Sequence, residues 1–253
     1  MRVCETIKKF KKMVNRLILF IALFMFNVST MSQDTPDFTV TGFSMIGKLK
    51  YNLGDMMGMP FTAGNYTSVR GTPYYIDTFR LAVVGLSNGK LYEYDKVKLN
   101  MYTNQVHFLT PEGQERIAGE GVVRRLYFFL TEDSAHPVVF SSGYTTGYGY
   151  TNSTYFEEMN QGNLQVLRQV SRTIANDVGM SSTPLGQHFV DQSIYYVVDQ
   201  KAKTVVKWKK GKEFLLEFLG PKSAMANQVI SEQKLSCRNY NDAIEVFKYV
   251  NSH

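Results

Sequence analysis

The sequence predicts a mainly β protein, an antiparallel β-sandwich or partly closed barrel that ends in a short C-terminal helical cap. Aromatic residues make up 13% of the 253 residues, and large flat side chains are typical of strands. Strand-like segments follow one another through short turns between residues 38 and 209, which favours antiparallel pairing. No long helical pattern separates these segments, so a parallel α/β fold is not expected.

The N-terminus has the pattern of a secretory signal. Six Lys and Arg side chains and one Glu lie within residues 1–16, the apolar run 17–26 follows, and small polar residues come next. This order predicts a signal peptide over residues 1–32 that is cleaved after Ser32. An apolar run of ten residues is too short for an ordinary membrane span, which needs about 20 residues. We therefore expect export to the periplasm or cell surface and no transmembrane span in the mature chain; an uncleaved N-terminal anchor is the alternative.

Removal of residues 1–32 changes the charge. The whole chain has 28 Lys and Arg against 22 Asp and Glu, and residues 33–253 have 22 against 21, a net charge of +1 instead of +6. Nucleic acid is not an expected partner, because its binding depends on a strongly basic surface. Cys237 is then the only thiol, so no internal disulfide is possible. We expect it to be a small buried side chain, with a reactive thiol as the alternative.

Residues 33–210 are predicted to form the antiparallel β domain. The clearest signal is Asn88-Gly89 between two apolar runs, which predicts a hairpin whose two turn residues both have positive φ. Residues 173–187 are ambiguous and are interpreted as a loop. The main strands are expected at residues 38–43, 80–86, 91–94, 96–101, 105–109, 115–118, 122–130, 137–142, 155–159, 164–170, 193–198 and 204–208.

Residues 211–253 are predicted to form a helical cap that packs on the β domain. Apolar residues recur at helical spacing in 212–219, 224–235 and 243–250. Gly220-Pro221 ends the first helix, and Asn241 or Asp242 is expected to cap the last one. The cap is expected to cover a face or an edge of the sheet, and a helical bundle that binds a partner is the alternative.

Three segments resemble a group of exported proteins from Bacteroidetes-type bacteria. They are Gly71-Thr72-Pro73-Tyr74-Tyr75, the strand closed by Asn88-Gly89, and Lys98-Leu99-Asn100-Met101-Tyr102, and the final helix ending in Asn251 is also similar. The group has no assigned activity. The resemblance therefore implies an envelope location and a β architecture, and it transfers no functional residues.

No catalytic residue, cofactor site or metal site is predicted. The four His residues form no two-His metal motif, and no nucleophile elbow, phosphate-binding loop or dinucleotide motif is present. Glu157 and Glu158 are adjacent, so on a strand they point to opposite faces and cannot act as a pair. Met56, Met57 and Met59 could offer thioethers to Cu(I); the alternative is a loop whose Met side chains fill the core.

The best candidate for binding is the loop around Tyr144, Tyr148 and Tyr150. Tyrosine offers a flat face for stacking on a sugar and a hydroxyl for hydrogen bonding, and such loops also bind proteins. The alternatives are a mobile loop or one whose tyrosines fold back on the sheet. A separate basic run, Lys207, Lys209, Lys210 and Lys212, surrounds Trp208, either as a solvated strand end or as a contact for anionic lipid or glycan.

These observations predict a non-enzymatic protein of the cell envelope that binds another envelope protein or a glycan through loops on a β scaffold. Two alternatives remain at this point. One is a periplasmic carrier with a cavity for a lipid or small apolar ligand. The other is an enzyme of unrecognised type.

Overall fold

A computed structural model describes residues 56, 58–61, 66, 68–130, 136–145, 147–178 and 184–253. All of them belong to a compact unit that spans Ser44–His253. The other unit, Met1–Phe43, lies outside the described residues. The predicted signal peptide and the predicted strand at 38–43 therefore stay predictions.

The described residues form one large sheet. The spatial order of its strands is β1-β6-β5-β4-β3-β7-β8-β9-β10-β11-β12, each antiparallel to its neighbours, and β2 pairs in parallel with β11. The sheet does not close on itself, and the predicted class, mainly β and antiparallel with short C-terminal helices, is confirmed. The strands are β1 (Met59–Pro60), β2 (Val69–Arg70), β3 (Arg80–Leu86), β4 (Leu91–Asn100), β5 (Gln105–Leu109), β6 (Glu115–Ile117), β7 (Val123–Phe128), β8 (Val138–Ser141), β9 (Phe156–Glu158), β10 (Leu164–Val178), β11 (Pro184–Asp199) and β12 (Thr204–Lys207).

The β3–β4 hairpin is present as predicted, but its turn differs. Gly89 has φ 81°, whereas Asn88 is not among the residues with positive φ. The Gly89 N–H donates to the Leu86 carbonyl at 3.0 Å, and the Asn88 side chain accepts from the Lys90 N–H at 3.0 Å. Asn88 therefore stays in an ordinary conformation because its side chain closes the turn, and one glycine suffices for the reversal.

Residues 173–187 contradict the loop interpretation. Apart from residues 179–183, which are not described, they belong to β10 and β11, which form one long hairpin. The outer half of this hairpin is held from its flanks: the Arg172 guanidinium donates to the Thr72 and Tyr74 carbonyls and pairs with Asp191. The bonds to Thr72 and Tyr74 link residues about 100 positions apart, so the local pattern of apolar residues does not reveal the strands.

Phe189 adds an aromatic anchor for the same hairpin. Its ring packs edge-on against Tyr66 and Tyr102, with centroid distances of 5.8 Å to each. Edge-to-face pairs of this kind are favourable beyond the area that they bury. Together with β2, which pairs with β11 at Gln187 and His188, this cluster fixes the end of the hairpin.

The two sides of β10 and β11 carry different hydrophobic clusters, because successive strand residues point to opposite faces. On the helix side, Leu164, Val166 and Val197 pack against the C-terminal helices. On the opposite side, which we call the tyrosine side, the buried residues are Phe156, Leu167, Tyr196 and Val198. A third cluster fills the first half of the sheet and includes Met56, Val84, Leu99, Phe108, Leu126 and Phe140.

The helices are α1 (Lys212–Leu219), α2 (Ser223–Glu232) and α3 (Tyr240–Asn251), with a 3₁₀ turn at Gly220–Lys222. Their buried side chains join Leu164, Val166 and Val197 in one cluster, as the predicted cap requires. The cap of α3 is Asn239, whose side chain accepts from the Asp242 N–H at 3.0 Å. The prediction that Asn241 or Asp242 caps this helix was wrong by two or three residues, because both residues already lie within the first turn of α3.

Candidate binding surface

Tyr144 lies on the tyrosine side of the sheet. Its ring meets Phe156 edge-on at 5.6 Å, and its hydroxyl bonds Ser141 Oγ at 3.1 Å and accepts from Gln200 Nε2 at 3.2 Å. Burial raises the pKa of Tyr144 to about 12. The side chain therefore anchors the loop to the sheet.

Tyr150 makes a second anchor of the same kind. Its ring packs edge-on against Phe156 at 5.7 Å and Tyr196 at 6.1 Å. Its hydroxyl donates to Gln169 Oε1 at 3.4 Å, and Gln169 is buried. Tyr144 and Tyr150 thus cover the cluster around Phe156 and Tyr196, as the folded-back alternative anticipated.

Tyr148 has a different environment from the two anchors. It is 50% exposed, its ring contacts Tyr196 at a centroid distance of 5.6 Å, and its hydroxyl accepts from the Lys207 backbone N–H at 3.4 Å. Gly147 and Gly149, with φ 64° and 81°, bracket it and allow the tight local turn. The residue is positioned by the sheet and still offers surface to solvent.

The neighbouring edge of the sheet is strongly basic. β12 is the last strand in the sheet order, and exposed lysines lie on β12, in its flanking turns and at the first residue of α1. The sequence prediction named four of them, and the structure adds Lys201 and Lys203 from the turn that leads into β12. We call this set the lysine edge: Lys201, Lys203, Lys207, Lys209, Lys210 and Lys212.

Trp208 does not form part of that exposed surface. Its indole packs edge-on against Phe214 of α1 at 5.5 Å, within the cluster on the helix side. Its backbone N–H donates to the Tyr195 carbonyl at 2.8 Å and continues the β11–β12 pairing. Tyr148 is therefore the exposed aromatic residue that accompanies the lysine edge.

Glu157 and Glu158 lie on opposite sides of β9, as predicted. The Arg168 Nε donates to Glu157 Oε2 at 2.8 Å, and Arg125 Nη2 lies 2.5 Å from Glu158 Oε2. Tyr75 and Tyr195 lie around Arg168, and Tyr127 and Tyr144 lie around Arg125. Each carboxylate is neutralised by its own arginine, so the two form internal ion pairs and no acid–base pair.

His107 and Glu115 form a dyad that sequence reasoning missed. His107 is fully buried, and its Nδ1 lies 2.8 Å from Glu115 Oε1. Its Nε2 is buried and has no hydrogen-bond partner among the described residues, and the rings of Phe61 and Tyr74 pack edge-on against the imidazole. Burial lowers the pKa of His107. A spacing of eight residues across the β5–β6 turn was the available signal, but it is shared by many hairpins.

The methionines proposed as Cu(I) ligands and the single thiol have different environments. Met56 is wholly buried in the core, whereas Met59 on β1 is 61% exposed; Met57 lies outside the described residues. The structure thus places Met56 where the core-filling alternative expected it. Cys237 is also buried, and burial raises its pKa, which fits a small packed side chain.

No group of three or more His, Cys, Asp or Glu side chains in the described part of the chain is arranged to hold a metal ion. Among the same residues, no helix combines the length and hydrophobicity that a membrane crossing requires.

Comparison with known proteins gives no assignment. No protein-family model, no curated protein and no solved structure matches the chain. The resemblance to exported proteins of Bacteroidetes-type bacteria therefore stays a prediction.

Proposed function

We propose that the protein is a non-enzymatic binding module of the cell envelope that binds a glycan at Tyr148. The observation that carries this proposal is the contrast within the loop. Tyr144 and Tyr150 are packed on the sheet, while Tyr148 is 50% exposed between them. A ring fixed in this way offers a flat stacking surface with little further loss of side-chain entropy on binding.

The surroundings of Tyr148 suit a polar ligand. Lys207 is its immediate neighbour through the backbone hydrogen bond, and the flanking residues 147 and 149 are exposed glycines that leave room for a ligand. The exposed large apolar side chains elsewhere are spread over other elements, namely Met59, Leu81, Tyr102 and Leu130. A single stacking ring among polar groups fits a sugar better than it fits the apolar centre of a protein interface.

A glycan-binding assay with matched tyrosine variants tests the proposal. Purified protein is screened by affinity electrophoresis against neutral and acidic polysaccharides, and hits are measured by calorimetry. We expect Tyr148→Ala to weaken binding by about tenfold, which corresponds to about 1.4 kcal/mol. Tyr148→Phe should retain most of the affinity, because it keeps the ring.

Tyr102→Ala is the matched control, since Tyr102 is 43% exposed and lies on a different turn. It should bind like the wild type once thermal unfolding shows that the variant is folded. Equal affinities for the wild type and Tyr148→Ala would contradict the proposed site. Absence of binding to every polysaccharide would contradict the glycan ligand itself.

A further inference from the structure

One edge of the sheet carries a dense run of positive charge. Residues 201–212 contain the six lysines of the lysine edge and no Asp or Glu. Since residues 33–253 contain 22 basic and 21 acidic side chains, those outside 201–212 have 16 against 21, a net charge of −5. The edge therefore carries +6, whereas the rest of residues 33–253, the predicted mature chain, carries −5, and such an asymmetry focuses the electrostatic field at that place.

Within the described part of the chain, no lysine of this edge is neutralised by a carboxylate. All six are exposed, and residues 201–212 are described throughout. Across the described part of the chain, none of them pairs with a carboxylate; the ion pairs there involve Arg, His and Lys248. The nearby Asp199 carboxylate is engaged by the Asn163 side chain and the Ala202 N–H. All six ammonium groups are thus exposed to solvent and have no acidic partner among the described residues.

The lysine edge and Tyr148 belong to one surface. Lys207 lies opposite Tyr196 in the β11–β12 register, so its side chain points to the tyrosine side, where Tyr148 packs on Tyr196. Gln200, directly before the turn with Lys201 and Lys203, donates to the Tyr144 hydroxyl at 3.2 Å. The tyrosine loop and the lysine edge are therefore held together by direct hydrogen bonds.

We infer that the ligand at this surface is an acidic polysaccharide, with carboxylate or sulfate groups along its chain. The inference rests on the proposed function, because it takes Tyr148 as the stacking residue. A repeating anionic chain can place one sugar on Tyr148 and successive charges along the lysine edge. Exposed ammonium groups attract carboxylate and sulfate mainly by charge, so the affinity should depend on salt.

Two features favour a glycan over an anionic lipid surface. A peripheral membrane contact usually inserts several apolar side chains, whereas the exposed aromatic residue here is one tyrosine with a bonded hydroxyl. Five of the six lysines also follow a four-residue strand and its flanking turns, and only Lys212 belongs to a helix, as its first residue. Lysines on an edge strand also discourage strand addition by another protein.

The decisive experiment uses the same polysaccharide with and without its charge. Purified protein is titrated with polygalacturonate and its fully methyl-esterified form, and with dextran sulfate and dextran. We expect each acidic form to bind at least tenfold more tightly than its neutral partner, and this preference to shrink between 50 and 300 mM NaCl, as screening of exposed charges requires. The triple variant Lys207→Gln/Lys209→Gln/Lys210→Gln should lose most of the preference, while Lys96→Gln/Lys222→Gln, in exposed positions elsewhere, should keep it.

The outcomes separate this inference from the proposed function. Equal binding of acidic and neutral forms, with both dependent on Tyr148, would overturn the inference and leave the proposed function standing. Absence of binding to all four polymers would contradict both. Equally tight binding to duplex DNA or to phosphatidylglycerol vesicles, without loss in Tyr148→Ala, would show a general affinity for polyanions and overturn the assignment to a polysaccharide.

Discussion

Asn251, the last residue of α3, binds both backbone groups of Leu164, the first residue of β10. Its Oδ1 accepts from the Leu164 N–H at 2.9 Å, and its Nδ2 donates to the Leu164 carbonyl at 2.9 Å and to the Gln161 carbonyl at 3.2 Å. The side-chain amide thus makes the two hydrogen bonds to Leu164 that the backbone of a neighbouring strand would make. It thereby fastens the C-terminal helix to the start of the long hairpin.

Removal of this amide should destabilise the protein. Asn251→Ala leaves the N–H of Leu164, a residue 1% exposed, without its partner, and an orphaned buried donor costs about 1–3 kcal/mol. We expect a loss of about 2 kcal/mol in the free energy of unfolding, measured with urea. Asn241→Ala, an exposed position of the same helix, should change it by less than about 0.5 kcal/mol; equal effects of the two substitutions would refute the role of Asn251.

Gly162 should not tolerate a side chain, because Asn251 occupies the space. Its φ is +110°, and an added Cβ would lie 2.4 Å from Asn251 Nδ2. We expect Gly162→Ala to cost about 3 kcal/mol, from backbone strain and overpacking together. Gly113→Ala is the control, with φ +81° and nothing within 4 Å of the added atom, and should cost about 1 kcal/mol. The double variant Gly162→Ala/Asn251→Ala should lose less than the sum of the single losses, and strict additivity would argue against the clash.

Loss of the Glu158 carboxylate should lower the stability far more than loss of a surface carboxylate in an exposed ion pair. Its side chain is 4% exposed beside Arg125, and loss of one partner of a buried pair leaves an uncompensated charge. We expect Glu158→Gln to reduce the stability by about 2 kcal/mol, below the full cost of about 3–5 kcal/mol, because Arg125 keeps 25% exposure. Glu245→Gln removes an exposed pair with Lys248 and should cost less than about 0.5 kcal/mol. Similar losses of stability in Glu158→Gln and Glu245→Gln would contradict the prediction that the buried ion pair matters more than the exposed one.

His107 should make the stability depend on pH. Burial lowers the pKa of His107, Lys98 acts in the same direction, and Glu115 opposes them. As the pH falls, the unfolded chain, in which His has a pKa of about 6.5, therefore takes up a proton at a higher pH than the folded protein does. The stabilising contribution is complete above the unfolded pKa and is lost as the pH falls through the lower folded pKa.

Urea unfolding at pH 8, 7, 6 and 5.5 tests this prediction. Between pH 7 and 5.5, the wild type should lose more stability than His107→Gln, by at most about 1 kcal/mol, because the variant takes up no proton at this position. His253→Gln, an exposed site, should keep the slope of the wild type. Parallel pH profiles for the wild type and His107→Gln would show that the dyad does not control the acid response.

Most of the strands were predicted from local patterns. The Asn88-Gly89 hairpin, the strands on either side of residues 102–104 and the strands that begin at Leu164 and Thr204 depend on turn residues and on alternation within a few positions. The opposite orientation of Glu157 and Glu158 follows in the same way from the geometry of a single strand. Helices near 212–250 were also evident, because their apolar residues recur at the helical period.

The remaining features arise from contacts between residues distant in the chain. The outer parts of β10 and β11 are held by two side chains. Arg172 donates to the Thr72 carbonyl, and the Phe189 ring packs against Tyr66 and Tyr102. The loop residues Tyr144 and Tyr150 are anchors because Phe156 and Tyr196 turn to that side of the sheet, and Tyr148 is left at the surface. Local sequence determines which conformations a segment prefers. The strand order then decides which side chains meet, because the contacts that bury apolar surface and complete the hydrogen bonds join residues on different strands and not neighbours along the chain.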